Sequence, residues 1–446
     1  MKSLVKIVLL TLLSLFVCVK VNAVSLPQTL RIGIIFNSVS SNPISITASG
    51  GVYIKTLDGA VLYRNASGVV VTAKKSLLSG IDAEINGMIA ATAQTELVLE
   101  PASGNLSLNG IAYRGTINIC RQNGGELDAI NVVEINDYVR GVVAKEIGGA
   151  SPTEALKAQA VCARNYAAAN VNKHRARGFD LCNTEHCQVY GGINAETEAV
   201  NSAVDATRNV IATHGGGLAE LIFAASTGGY TESSEFVWGS KIPYLVAVPS
   251  PDENPNAYYI SWKYEVTPAE ATEILKAYEL GDIKNIEILE QTPRGVTTKL
   301  RVVGSVKEKV FALEACRTLF GYSGLRSQAY TMEKVGGDTI QGTAEVWGMD
   351  SSGKALKIAG DSFSVKSAEG QTDVLLSDFW VKSSSESTRI IVPKSGSGGT
   401  IEKFIFTGRG WGHLVGMSQE GAIAMAKKGA SYQEILKHYY TGITLE

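Results

Sequence analysis

Residues 131–170, NVVEINDYVRGVVAKEIGGASPTEALKAQAVCARNYAAAN, decide the fold. Val132 to Ile135 is a short β-rich run. From Asp137 to Glu146 the chain is apolar apart from Asp137, Arg140, Lys145 and Glu146. Val139, Val142 and Val143 are spaced for one helical face, which predicts a short helix ending at Gly148-Gly149. Ser151-Pro152-Thr153-Glu154 then opens a longer helix. Ser151 is placed to cap it, Pro152 suits its first position, and Glu154 completes a capping box. Leu156, Ala160, Ala163 and Ala167 form its buried stripe, while Lys157 and Arg164 share another face about two turns apart. The pattern predicts a carboxylate, Glu146, at a glycine turn beside a helix carrying two cations.

Working outward, the chain of 446 residues suggests two or three domains with a mixed α+β character. The formal net charge is −2 and the basic residues are scattered, so nothing calls for nucleic acid or an acidic polymer. Met1 to Ala23 has the basic start, apolar core and Val21-Asn22-Ala23 cleavage site of a secretory signal, with an uncleaved anchor as the rival. Phe16 and Val17 are too bulky for lipidation at Cys18. From Val24 to Gly125 short strands alternate with turn residues.

Three further segments carry chemistry. Between His174 and Tyr190 lie His174, Cys182, His186 and Cys187, a concentration in a chain with six cysteines and five histidines. Zinc takes such ligands in tetrahedral array. Cys182 and Cys187 lead the candidates, followed by His174; His186 competes with it, since adjacent residues seldom both face one ion. A Cys182–Cys187 disulfide is the alternative. Ser226 to Ser234 is a polar glycine loop with Ser226, Tyr230 and Thr231; its hydroxyls and amides would suit sugar hydroxyls, but on its residues alone the plain loop is the better reading. Gly408 to Gly416 is a glycine loop around His413, followed by a helix from near Ser418 and a last one capped by Ser431 and Glu434.

The order Asn136-Asp137-Tyr138-Val139-Arg140-Gly141-Val142-Val143, Glu146, then Glu154-Ala155-Leu156-Lys157-Ala158-Gln159-Ala160-Val161 resembles the stage II sporulation protein D and amidase-enhancer (SpoIID/LytB) family. Gly408-Arg409-Gly410-Trp411-Gly412-His413, then Val415-Gly416-Met417-Ser418-Gln419, resembles its second signature. Two departures stand out. The family usually has Met-Pro after the acid, here Ile147-Gly148, and Gly after the signature histidine, here Leu414.

The resemblance implies an exported bacterial protein acting on peptidoglycan. It implies a lytic transglycosylase that cuts MurNAc-GlcNAc linkages and leaves 1,6-anhydro ends, with Glu146 as catalytic acid. Gln159, Ser226, Tyr230, Thr231 and His413 are then expected to hold the sugar. Lys157 and Arg164 are expected to face substrate or other carboxylates. Some relatives hold zinc in a loop resembling that of Cys182, Cys187 and His174, so one structural zinc is expected. Glycan strands are the implied ligand and a cell-wall amidase an implied partner. The competing class is a non-catalytic wall-binding enhancer of an N-acetylmuramoyl-L-alanine amidase. A zinc peptidase is disfavoured because no His-Glu-x-x-His occurs. The expected division is a signal over 1–23, a β-rich module over 24–125 serving as scaffold or docking unit, a catalytic body over 126–335 and 401–446, and a β-rich insertion over 336–400.

Overall fold

The computed structural model describes residues 26–36, 43–77, 79–250, 253–254, 260–336 and 400–446, with the backbone of six strands between 346 and 389. The expected signal segment, including Cys18, lies outside the described residues. No helix among the described residues is long and apolar enough to cross a membrane.

The architecture is α+β, in two compact units: residues 1–261 with 409–446, and residues 262–408. In the first, a seven-stranded sheet runs in the order Leu181–Cys182, Thr29–Ile35, Leu127–Glu134, Thr116–Arg121, Glu96–Pro101, Val52–Lys55, Val61–Asn65. A six-stranded sheet holds Ile111–Tyr113, Leu106–Leu108, Ile44–Ala48, Val69–Lys75, Ile81–Ile85 and Met88–Ala93. Period-two alternation drives both. Ile44, Ile46 and Ala48 point inward while Ser45 and Thr47 face out, and Leu97 and Leu99 repeat the pattern.

Strand Leu127–Glu134 runs directly into helix α1 (Ile135–Val143). The Glu134 carboxylate accepts from the Asn136 and Asp137 amides and so caps the helix. Helix α1 ends in a π-helical turn, Ala144–Gly148, which carries Glu146. Helix α2 (Thr153–Ala169) packs against α1, α3 (Glu198–Ala206), α4 (Gln419–Lys427) and α5 (Tyr432–Tyr439). Neighbours on so many sides bury it almost all round, Gln159, Arg164 and Asn165 included. It is a central core helix, not the amphipathic one expected, so it offers Arg164 no solvent face.

The expected capping box at Ser151 does not form. Ser151 Oγ donates to Ile147 O at 2.7 Å, tightening the turn behind Glu146. Glu154 accepts from Lys157 Nζ at 2.7 Å and from the Tyr432 amide at 2.8 Å. Pro152 occupies the cap position with no side-chain acceptor.

The domain division also differs from expectation. Leu30 and Ile32 of the first strand share one core with Tyr138 and Val139 of α1 and Tyr440 near the C-terminus. Residues 26–125 are therefore continuous with the helical body, because Thr29–Ile35 pairs along Leu127–Glu134. The separate unit is 262–408, with its own core of Trp262, Val266, Ile286, Leu300, Phe404 and Phe406 among others. The chain enters it by Ser261–Val266 and leaves by Ile401–Arg409, neighbouring strands of one sheet. The 336–400 segment is part of this unit, and its described strands form three antiparallel hairpins.

Gly141 sets how closely α1 approaches the segment after the cysteine loop. A Cβ there would lie 2.4 Å from Tyr190 Cε2. That buried ring is fixed, since its hydroxyl donates to Asn131 Oδ1 at 2.9 Å. Gly141→Ala is predicted to cost about 1–3 kcal/mol by overpacking, read as a lower urea midpoint at unchanged m-value.

Candidate active site

Glu146 sits where three segments distant in sequence converge. The π-helical turn throws its side chain toward the loop after Cys187, where Oε1 accepts from the Val189 amide at 2.8 Å. Oε2 accepts from Gln419 Nε2 at 3.4 Å, from the first residue of α4. Gln419 Nε2 also lies 3.5 Å from Gln159 Oε1 on α2. Burial raises the Glu146 carboxyl above its ordinary range; the Val189 and Gln419 donors oppose this, and the Glu185 carboxylate adds to it. The neighbouring cations are engaged elsewhere, Lys157 with Glu154 and Arg164 with Asn136 Oδ1 at 3.0 Å.

A groove of about 450 Å³ begins at Gly148, two residues beyond Glu146, which is not itself among its lining residues. Gly148, Ala150, Ser151 and Pro152 line one side, Asn254 another, and Glu420, Ile423, Ala424 and Lys427 of α4 a third.

The cysteine loop is built against the first strand. Leu181 and Cys182 pair in parallel with Ile32 and Gly33, and Asp180 accepts from the Arg31 amide at 2.8 Å and the Asn172 amide at 3.0 Å. This brings the ligand atoms of His174, Cys182, His186 and Cys187 within 4.8 Å of one another. His174 Nε2 is 3.3 Å from Cys187 Sγ, and His186 Nδ1 is 3.7 Å from Cys182 Sγ and 3.6 Å from Cys187 Sγ. Bonds of about 2.3 Å to sulfur and 2.0–2.1 Å to nitrogen give tetrahedral edges of roughly 3.3–3.8 Å, so the donor set fits a closed metal site. Both cysteines carry free thiols. The structure brings in His186, which its adjacency to Cys187 had argued against. The ring folds back beside its own neighbour, its edge toward His174.

The C-terminal glycine loop is stitched to the segment around Ser226. Phe223 and Ala224 pair in parallel with Met417 and Ser418, and Ser226 and Trp411 exchange backbone hydrogen bonds. The result delivers Gln419 to Glu146. His413 Nδ1 accepts from the Val415 amide at 3.1 Å, and its ring lies 5.1 Å from that of Trp238.

Several expected sugar contacts prove internal. Arg164 is fully buried, donates to Asn136 and to Val210 O, and is pushed down to about 10 by burial. Lys157 pairs with Glu154 over the Tyr432 ring. Gln159 is buried behind Gln419. Ser226 Oγ is given to Glu253, and Thr231 Oγ1 to the Val246–Val248 backbone. Helix α2 is enclosed, and the 226–231 segment is pinned by its flanks, so hydroxyls that looked available are spent on structure. Tyr230 is exposed. Sequence reading missed Gln419, although it was quoted within the second signature, and Glu253, for which no local signal exists.

The two signature stretches meet at Glu146 and Gln419. The family model for the stage II sporulation protein matches residues 123–214, the segment that carries Glu146 and all four clustered Cys and His residues. An uncharacterised protein of Brachyspira hyodysenteriae is 31% identical over 78% of this chain and 76% of its own length. The amidase enhancer of Bacillus subtilis is 27% identical over 77% of this chain, which spans only 45% of that relative. The stage II sporulation protein D of Bacillus amyloliquefaciens is 26% identical over 71% of this chain and 75% of its own. The chain belongs to the stage II sporulation protein D and amidase-enhancer family.

The raised pKa of Glu146 has a stability consequence. The folded protein keeps this proton at pH values where the unfolded chain has lost it. Stability therefore falls as pH rises above the ordinary carboxyl value of 4.5. Glu146→Gln, which has no charge to bury, is predicted to melt at higher temperature than wild type at pH 7, with the gain vanishing at pH 4.

Proposed function

We propose that the protein is exported, binds peptidoglycan glycan strands and cleaves them as a lytic transglycosylase with Glu146 as acid and then base. The observation that carries this reading is a desolvated carboxyl, raised in pKa and held by two neutral donors, on a turn whose following residues, from Gly148, line a groove. A glycosidic oxygen leaves poorly until protonated, and an acid with raised pKa keeps its proton nearer neutral pH. Most glycosidases need a second carboxylate as nucleophile or base. Intramolecular attack by the muramic 6-hydroxyl on its own anomeric carbon needs only one. Glu146 donates its proton to the departing oxygen and then takes the hydroxyl proton, closing the 1,6-anhydro ring without consuming water. Tyr230 is a candidate for stacking on the sugar and His413 for binding it.

A single zinc held by His174, Cys182, His186 and Cys187 is part of this proposal. The ion supplies a structural cross-link. The chain does the rest, because Val189, which donates to Glu146, follows Cys187 by two residues, and Tyr138 Oη donates to the intervening Gln188 at 3.2 Å. Purified protein is predicted to carry about one metal per chain, lost in Cys182→Ser and Cys187→Ser and measured by elemental analysis.

The second reading, a non-catalytic enhancer of a cell-wall amidase, is supported by the relative named amidase enhancer. Mass spectrometry of glycan strands separates the two. Wild type should generate anhydro ends, and Glu146→Gln, nearly isosteric, should bind strands and generate none. Undiminished cleavage by Glu146→Gln defeats the assignment. A wild type that cleaves nothing but stimulates an amidase establishes the enhancer.

A further inference from the structure

Glu253 is one of several buried carboxylates in the first unit, and the reaction outlined above gives it no role. It is 4% exposed. Three consecutive residues send it four hydrogen bonds. Oε1 accepts from Thr227 N at 3.1 Å and Thr227 Oγ1 at 2.6 Å; Oε2 accepts from Gly228 N at 3.0 Å and from Ser226 Oγ. The carbonyls of the same loop turn the other way. Arg409 Nη1 donates to Thr227 O and reaches the Gly228 and Tyr230 carbonyls at 3.4 Å each.

The loop is thus held at both poles, its donors on a carboxylate and its acceptors on a guanidinium. It needs such a clamp because Gly228 and Gly229 sit at φ 63° and 104°, where the backbone has little steric preference of its own. The clamp fixes two things. Tyr230, the residue that ends the loop, stands 49% exposed. Asn254, the residue after Glu253, lines the groove that begins at Gly148, two residues from Glu146. An exposed aromatic ring offers a face to the apolar side of a pyranose, and its value depends on being held in place before the sugar arrives.

We propose that Glu253 is a positioning residue for glycan: it touches no sugar, and by clamping Ser226 to Gly228 it holds Tyr230 and the groove edge in the shape that binds the strand. This rests on the glycan reading given above. All four bonds it accepts go to the loop, so its contribution is to binding.

The test compares wild type, Glu253→Gln, Tyr230→Ala and the double variant, using purified glycan strands as the probe. Glu253→Gln replaces an acceptor oxygen by an amide that faces donors. It should weaken strand affinity and raise KM by about 10- to 100-fold, while kcat at saturation stays within roughly twofold of wild type and its pH profile is unchanged. Tyr230→Ala should give a comparable loss, and the double variant should add little to either single change, because both disable one platform. Should Glu253→Gln fail to fold, Thr227→Val removes one bond of the clamp and should give the same KM shift in smaller measure. Unchanged affinity in Glu253→Gln overturns the proposal, as do losses that simply multiply in the double variant or a fall confined to kcat. A wild type that neither binds nor cleaves strands overturns the glycan reading and this inference with it. Intact wild-type binding with an indifferent Glu253→Gln overturns this inference alone.

Discussion

A carboxyl group taken out of water keeps its proton unless something nearby favours the charge. Around Glu146 that something is deliberately weak: one backbone amide and one side-chain amide, both neutral. A lysine or arginine in their place would form a charge-assisted bond and drive the carboxyl down. The two cations that the sequence sets nearby on α2 are both turned to other partners, Lys157 to Glu154 and Arg164 to Asn136. The arrangement around the acid can therefore be understood as one requirement met twice, by supplying neutral donors and by drawing the cations away.

Meeting it places polar groups deep inside the protein, where an unpaired one is costly. Among the described residues Gln159 Nε2 and Arg164 Nη2 have no partner, while the other polar atoms of these side chains are used to tie segments together. Helix α2 is the clearest case. Asn165 donates to the carbonyls of Ala212 and Ala219, both at 2.7 Å, and accepts from the Ala212 amide at 3.0 Å, tying the helix to the strand beyond α3. Arg164 reaches Asn136, whose own amide donates to Glu134, the cap of α1. Gln159 reaches Gln419. Different sides of one buried helix thus hold the start of α1, the strand at Ala212 and the start of α4 in register. Such networks add less to stability than to uniqueness of arrangement, since a partial version leaves a buried group unpaired. That is the property a site assembled from remote segments requires.

What the sequence disclosed and what it hid follow the range of each interaction. Ser431 with Glu434 forms a capping box as read, and Thr267 with Glu270 forms another, because the partners lie three residues apart and nothing distant competes. Ser151 with Glu154 has the same spacing and fails, because the Ile147 carbonyl and the Tyr432 amide take the two side chains. Glu146 was legible through its signature, while its donor Gln419 lies 273 residues away and no local pattern links them. Arg164 was misjudged because helical spacing tells which residues share a face, not whether that face meets water. The domain boundary was missed for a related reason. Strands of similar composition on either side of Ser261 belong to different cores, and only pairing partners reveal which.

The two departures from the family pattern occupy backbone positions that carry their own constraint. Gly148 has φ 84°, a conformation closed to proline, whose ring fixes φ near −65°. The turn behind Glu146 therefore cannot have the backbone that a Met-Pro sequence would impose. Here Ser151 Oγ, bonded to Ile147 O, supplies part of the rigidity that a ring would give. Leu414 is the converse. It stands at φ 67°, where glycine is at ease and a side chain costs on the order of 1–2 kcal/mol. Its side chain is wholly buried, with Cδ2 only 2.7 Å from where a Cβ on Gly410 would be, and its carbonyl accepts from the Glu232 amide at 2.7 Å. Burying a leucine recovers about as much as the strain costs. The substitution therefore converts a permissive point next to His413 into a packed one. The two changes act in opposite senses: glycine gives the turn behind the acid a conformation that proline forbids, and leucine removes freedom from the loop that bears the histidine.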